Sequence, residues 1–287
     1  MAARSVSATP PHLGSEDPGA GTVDACGLNS TPFDVASSAG WYSAIASLLA
    51  GFAFVAVLLP LDHDSDAQGE RETGHAVVVF ISAFFSLLIL AITYAILAGR
   101  TGGGTADGIA AHEQMLNGAV FGLSVLLLLF GLRAVLGAYG KNRHIFDSAR
   151  NLVLVVTSVL GPAILLALQF SNALDVERYR AGVEGAVACD RGGMPGGVWI
   201  NLAITAAALI AVLSLALARR RLPKWEAAPE LIAKTVLGFT IVFVAWSSIA
   251  VPLLPPSVVT GAAFEHFAVA LTGTLTVAFA AASWLGR

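Results

Sequence analysis

Charge is what this chain has least of. Only 12% of its 287 residues are Asp, Glu, Lys or Arg, and 56% are hydrophobic, for a mean hydropathy of +0.76. An ordinary soluble domain carries about a quarter charged residues, so that class is excluded and the chain belongs in a membrane. Catalytic signatures are missing as well: there is no Gly-x-Ser-x-Gly, no Cys-x-x-Cys and no His-Glu-x-x-His. Residues 1–40 lack the apolar run that forms the core of a secretory signal. Lysine is scarce, 3 residues against 13 arginines, and with Ala-rich apolar blocks this bias fits a GC-rich bacterial genome and a bacterial cell membrane.

What remains is apolar sequence in long blocks. Seven segments are each close to the roughly 20 residues that cross a bilayer as a helix: 41–61, 76–98, 117–138, 151–170, 198–218, 235–254 and 267–285. Their apolar residues cover every face, and runs such as Val125 to Phe130 do not alternate as a membrane strand would. The expected fold is all-α, a polytopic seven-transmembrane-helix bundle. Residues 1–40, rich in Pro, Gly, Ser, Thr and Asp, form a flexible tail, residues 41–287 the transmembrane domain, and 171–197 a long outer loop. Asp34, Ser37 and Ser38 stand where residues that cap helices precede an apolar run. Pro162 and Pro252 should bend the fourth and sixth helices. Gly118 and Gly122 make a pair of small residues suited to close helix approach.

The few charges are sorted between the two faces. Ten basic residues fall on the side of the loops after helices one, three and five, and five on the other side, with Arg133 inside a span. The excess includes the short loop Arg219-Arg220-Arg221-Leu222-Pro223-Lys224, so the N-terminus is expected outside and the C-terminus in the cytoplasm. Eleven of the nineteen acidic residues then lie outside. Cys26 in the tail and Cys189 in the outer loop share that oxidising side, and a Cys26–Cys189 disulfide is expected. Closing a loop of that length contributes about 4–5 kcal/mol in the chain-entropy model.

Candidates for chemistry are few. His112 and Glu113 before helix three, with Glu265 and His266 at the start of helix seven, fall near the same outer boundary and supply ligand types that zinc accepts. No other cofactor is indicated. The intramembrane polar residues are Arg133, Gln169, Asn201, Ser247 and Ser248. Arg133 is near enough to the cytoplasmic end to snorkel to the headgroups. Asp62-His63-Asp64-Ser65-Asp66 opens like a calcium loop but has Ala67 where the turn wants Gly. The glycine-rich Thr101 to Asp107 lacks the lysine of a phosphate loop.

Ala46 to Val57 resembles the pore-lining first helix of Orai calcium channels over twelve residues, but Leu59 stands where that family has its selectivity carboxylate, so no activity is implied. A retinal protein would need a lysine in the last helix, and 267–285 has none. Three functions remain: a non-enzymatic sensor or subunit of a cell-envelope complex, a small-solute or ion channel or transporter lined by groups such as Gln169, Asn201 and Ser247, or an outer-face metal hydrolase. The expected partners are the lipid bilayer and a membrane protein or second copy of the chain, with no nucleic acid.

Overall fold

A computed structural model of the chain describes residues 34–61, 67–100, 105–138, 143–184, 189–190, 194–223, 225, 227–259 and 261–285. Its helices are α1 (Val35–Leu61), α2 (Ala67–Ala98), α3 (Thr105–Ala138), α4 (Arg143–Val155), α5 (Gly161–Glu184), α6 (Gly196–Ala218), α7 (Ala228–Ala245), α8 (Pro256–Val259) and α9 (Ala262–Leu285). Strands β1 (Cys189–Asp190) and β2 (Met194–Pro195) pair antiparallel between α5 and α6. A π-helical turn at Val156–Leu160 joins α4 to α5, and a second at Trp246–Ala250 extends α7. Among the described residues seven helical spans are long and apolar enough to cross a bilayer. The protein is an all-α, seven-helix integral membrane protein.

Burial ranks the spans. The second and third are each 56% buried, whereas the fifth is 11% buried, so α2 and α3 form the centre and α6 lies at the periphery. Its Leu217, 87% exposed, is a lipid-facing side chain. Small residues set the closest packing. Ala39, Ala46, Ala50 and Ala53 are buried at helical spacing on α1, and Ser43 Oγ donates to the Ala91 carbonyl of α2 at 2.9 Å. Between α3 and α5, a methyl added at Gly108, Gly118 or Gly122 would collide with Tyr179, Asn172 or Leu165, and one at Gly161 with Leu126. These contacts run in opposite directions along the two helices, and they include the Gly118 and Gly122 pair expected to allow close approach.

Both prolines expected to bend helices follow a widened turn. Pro162 comes after Val156-Thr157-Ser158-Val159-Leu160-Gly161, and Pro252 after Trp246-Ser247-Ser248-Ile249-Ala250-Val251. A proline lacks an N–H and crowds the carbonyl four residues back, so the chain relaxes into a wider helix there. The hydroxyls near the break bond back to the preceding turn: Thr157 Oγ1 to Val153 O at 2.7 Å, Ser158 Oγ to Leu154 O at 2.6 Å, and Ser247 Oγ to Val244 O at 3.2 Å.

Every span begins earlier than the sequence reading has it, α2 at Ala67, α4 at Arg143, α7 at Ala228 and α9 at Ala262 among them, and three boundaries bear on the site. Helix α1 begins at Val35, six residues before Trp41, because Asp34 Oδ1 accepts the Ser37 N–H at 3.0 Å and caps it. Helix α3 begins at Thr105, so His112 and Glu113 lie within it. Helix α5 continues to Glu184, so residues 171–184 of the expected outer loop are helical. Charged residues ended the hydropathy blocks too early in both cases, because their partners within the bundle offset the cost of burying them. Cys26 lies outside the described residues, and so does the expected Cys26–Cys189 bridge; the acidic loop 62–66 and most of the glycine-rich loop lie outside them as well.

Candidate functional site

Buried charge stands at two levels of the bundle. On α3 the levels are marked by His112 and Arg133, which are 21 residues apart. At 1.5 Å per residue that is about 32 Å, close to the thickness of a hydrocarbon core.

The first level is built on the extended end of α5. Its sequence Asp175-Val176-Glu177-Arg178-Tyr179-Arg180 twice places an arginine three residues after a carboxylate, which sets each pair on one helical face. Asp175 and Arg178 meet at 2.7 Å and are partly exposed. The next pair turns inward: Arg180 Nη1 donates to Glu177 Oε1 at 2.7 Å, and Arg180 Nη2 to Glu265 Oε2 on α9 at 2.6 Å. Asn201 on α6 donates its Nδ2 to the other oxygen of Glu265 and through Oδ1 accepts from His266 Nδ1 at 2.8 Å. Glu265 is 0% exposed, Glu177 and Asn201 1%, and Arg180 8%. One guanidinium therefore holds two carboxylates from separate helices, and a carboxamide ties in the third. Gly197 is what lets α6 approach, since a methyl there would strike the Glu177 carboxylate.

His112 lies on the neighbouring α3, fully buried, with Nδ1 donating to the Gly108 carbonyl at 2.9 Å. That bond puts the proton on Nδ1 and leaves Nε2 as a buried lone pair, which has no hydrogen-bond partner. The Phe264 ring is 5.7 Å away, centroid to centroid. Glu113 pairs instead with Arg100. The four residues expected as zinc ligands thus divide between separate partners, Glu265 and His266 in the α9 network and Glu113 with Arg100. Among the described residues no group of three or more His, Cys, Asp or Glu is placed to hold a metal ion.

Deeper along the same interface the carboxamides of Asn117 on α3 and Gln169 on α5 are buried with no partner for either N or O. The antiparallel contacts at Gly118 and Gly122 put them at the same depth. Tyr94 Oη, also without a partner, approaches Gly118 from α2. Ser247 is buried in the second π-turn, and Ser248 is exposed.

At the second level Arg133 is 4% exposed, where the sequence reading had it snorkel to the surface. Its Nη1 donates to the Ser283 carbonyl at 3.0 Å, and its guanidinium lies 5.9 Å from the Phe130 ring centroid. A backbone oxygen of α9 is thus one partner of Arg133.

Glu177 and Arg180 are the residues that sequence reasoning missed, having been counted with the outer loop. The signal was present in the doubled spacing of three, which is a helical pattern and has no use in a loop. Compared with known proteins, the chain matches no family model, no curated protein and no solved structure. The reading of the site therefore rests on its geometry.

Proposed function

We propose that this chain is a non-enzymatic membrane sensor whose switch is the buried Glu177–Arg180–Glu265 clamp. The observation that carries the reading is the charge count: two carboxylates from α5 and α9 share one guanidinium in a site closed to water. Carboxylates buried at membrane depth are costly and mark working sites in membrane proteins. A proton or small cation reaching the cluster cancels its excess negative charge, weakens the hold of Arg180 on one carboxylate, and so changes how α5, α6 and α9 are tied. The groups facing the clamp are Asn201 from α6, His266 from α9 and His112 from α3, and Arg180 acts electrostatically on both histidines. The basic Arg219 loop supports an orientation with the clamp at the outer face of a bacterial cell membrane, where it would meet the external medium. A Cys26–Cys189 bridge, checked on a non-reducing gel against Cys189→Ser, would pin the tail over this end.

A second reading, a small-solute or ion pathway, is favoured by the unpartnered carboxamides of Asn117 and Gln169, which continue inward from the clamp and would hydrogen-bond a polar solute. One preparation in nanodiscs and liposomes separates the two. The sensor reading expects hydrogen exchange in α5 and α9 to change as outer pH or cation concentration is varied, and expects Glu265→Gln to abolish that response. Wild-type exchange that is constant across those conditions would sink it. Solute or ion flux that requires Asn117 and Gln169 would establish the pathway instead.

A further inference from the structure

At the second level of buried charge lies a cavity of about 530 Å³, lined by Arg133, Arg150, Asn151, Arg219 and Trp284 together with Leu154 and Val155. Its size suits a small polar headgroup, within the roughly 300–1,000 Å³ of ligand sites. The three arginines come from different elements: Arg133 from α3, Arg150 from α4 and Arg219 from the turn that ends α6. Among the described lining residues none is acidic. This is the reverse of the clamp, where each positive group meets carboxylates.

Several features make the cavity a receptor for an oxyanion. Arg133 is fixed by the Ser283 carbonyl, and Arg219 is fixed over the Trp284 ring at 5.5 Å, so two guanidiniums are oriented before any ligand arrives. Arg presents a planar fork of donors that matches phosphate oxygens. Asn151 adds an amide donor, and Trp284, 1% exposed, carries an indole N–H with no acceptor. Three like charges around one cavity repel one another, and an anion between them turns that repulsion into attraction.

The setting points to a lipid as the source. Val155 in the wall is partly exposed, Leu152 beside Asn151 is 65% exposed, and Leu217 two residues before Arg219 is more exposed still. The cavity therefore borders the lipid-facing surface at the level where α6 ends. Basic pockets between membrane helices at such a level suit anionic headgroups. We propose that this cavity binds the phosphate group of an anionic phospholipid, with Arg133, Arg150 and Arg219 as its ligands.

The test uses the full chain in nanodiscs of phosphatidylcholine with and without phosphatidylglycerol, and in detergent with added inorganic phosphate. Thermal unfolding and native mass spectrometry are the readouts. Phosphatidylglycerol is expected to raise the melting temperature of the wild type and to remain bound on ionisation. Arg150→Ala with Arg219→Ala should weaken that binding on the order of tenfold or more, the scale of losing hydrogen bonds to a charged group. Arg220→Ala with Arg221→Ala, which alters exposed neighbours of equal charge, should retain it. Where the alanine pair does not fold, Arg150→Lys with Arg219→Lys keeps the charge and loses the fork, and is expected to bind more weakly than the wild type. A response to inorganic phosphate without one to phosphatidylglycerol would keep the phosphate site and assign its source to the solvent. Absence of both responses overturns the proposal. So does equal loss in the Arg220 and Arg221 variant, which would reduce the effect to surface charge, and so do lysine variants that bind as the wild type does.

Discussion

The two levels of buried charge solve the same problem in opposite ways. At the His112 level the positive group is shared: Arg180 is enclosed by Glu177 and Glu265, and the network closes through Asn201 and His266. At the Arg133 level positive groups gather around a space, with a carbonyl and two aromatic rings beside them and no acid among the described residues of the wall. In the first arrangement opposite charges meet within the chain and fix helices to one another. In the second the guanidiniums meet around a cavity, the site proposed above for an anion. Burial alone does not separate these cases, since Arg133 is at least as buried as Arg180. The sign of the neighbours does.

Substitutions at each level test that contrast. The largest effect is expected for Arg180→Met, which strands two buried carboxylates and should cost about 3–5 kcal/mol or prevent folding. Size-exclusion yield and thermal unfolding in detergent measure it, and adding Glu265→Gln to that variant should recover part of the loss. Gly197→Ala comes next, at about 1–3 kcal/mol by thermal unfolding, because the new methyl must displace the Glu177 carboxylate. Glu265→Gln alone should cost about 1 kcal/mol, since it leaves Arg180 balanced by Glu177 and keeps an acceptor for Asn201. At the other level, Arg150→Ala in phosphatidylcholine should change stability by less than about 0.5 kcal/mol, and towards greater stability, because it relieves repulsion. A loss there as large as that of Arg180→Met would erase the distinction between the two levels. The smallest effect is expected for Lys234→Ala, whose partner Glu230 is 41% exposed; its melting curve should overlay the wild type.

Much of the fold was legible in the sequence and the clamp was not, for one reason. Hydropathy adds the transfer costs of side chains one at a time, which serves for Leu, Val and Ala and located seven spans. It fails where costs cancel in pairs, as at Glu113 with Arg100 and at Arg180 with its two carboxylates. The apolar blocks therefore stopped at Asn117 and Phe170, while α3 starts at Thr105 and α5 runs to Glu184. Asn201 and Glu265 were visible as polar groups, but only the meeting of α6 and α9 shows that they serve one network. The three cavity arginines were visible as charges, and their convergence depends on how α3, α4 and the turn that ends α6 meet.

The π-turn at Val156–Leu160 has an effect on register that extends well beyond its five residues. An α-helix advances about 100° per residue, and a π-helical turn accommodates one extra residue in the same rise. Everything beyond Leu160 is therefore turned by roughly a quarter of a circle from where an uninterrupted helix would have carried it. Gln169, Glu177 and Arg180 all lie on that later part, so their inward aim is set some 10 to 20 residues upstream. Deleting one residue within 156–160 would leave the composition and length of the span nearly unchanged. It would let the turn close as a regular α-helix and keep the downstream aim, whereas the full-length sequence wound as an uninterrupted helix would point a carboxylate and a guanidinium away from their partners, which makes that short stretch a phase setting for the whole C-terminal half of the helix.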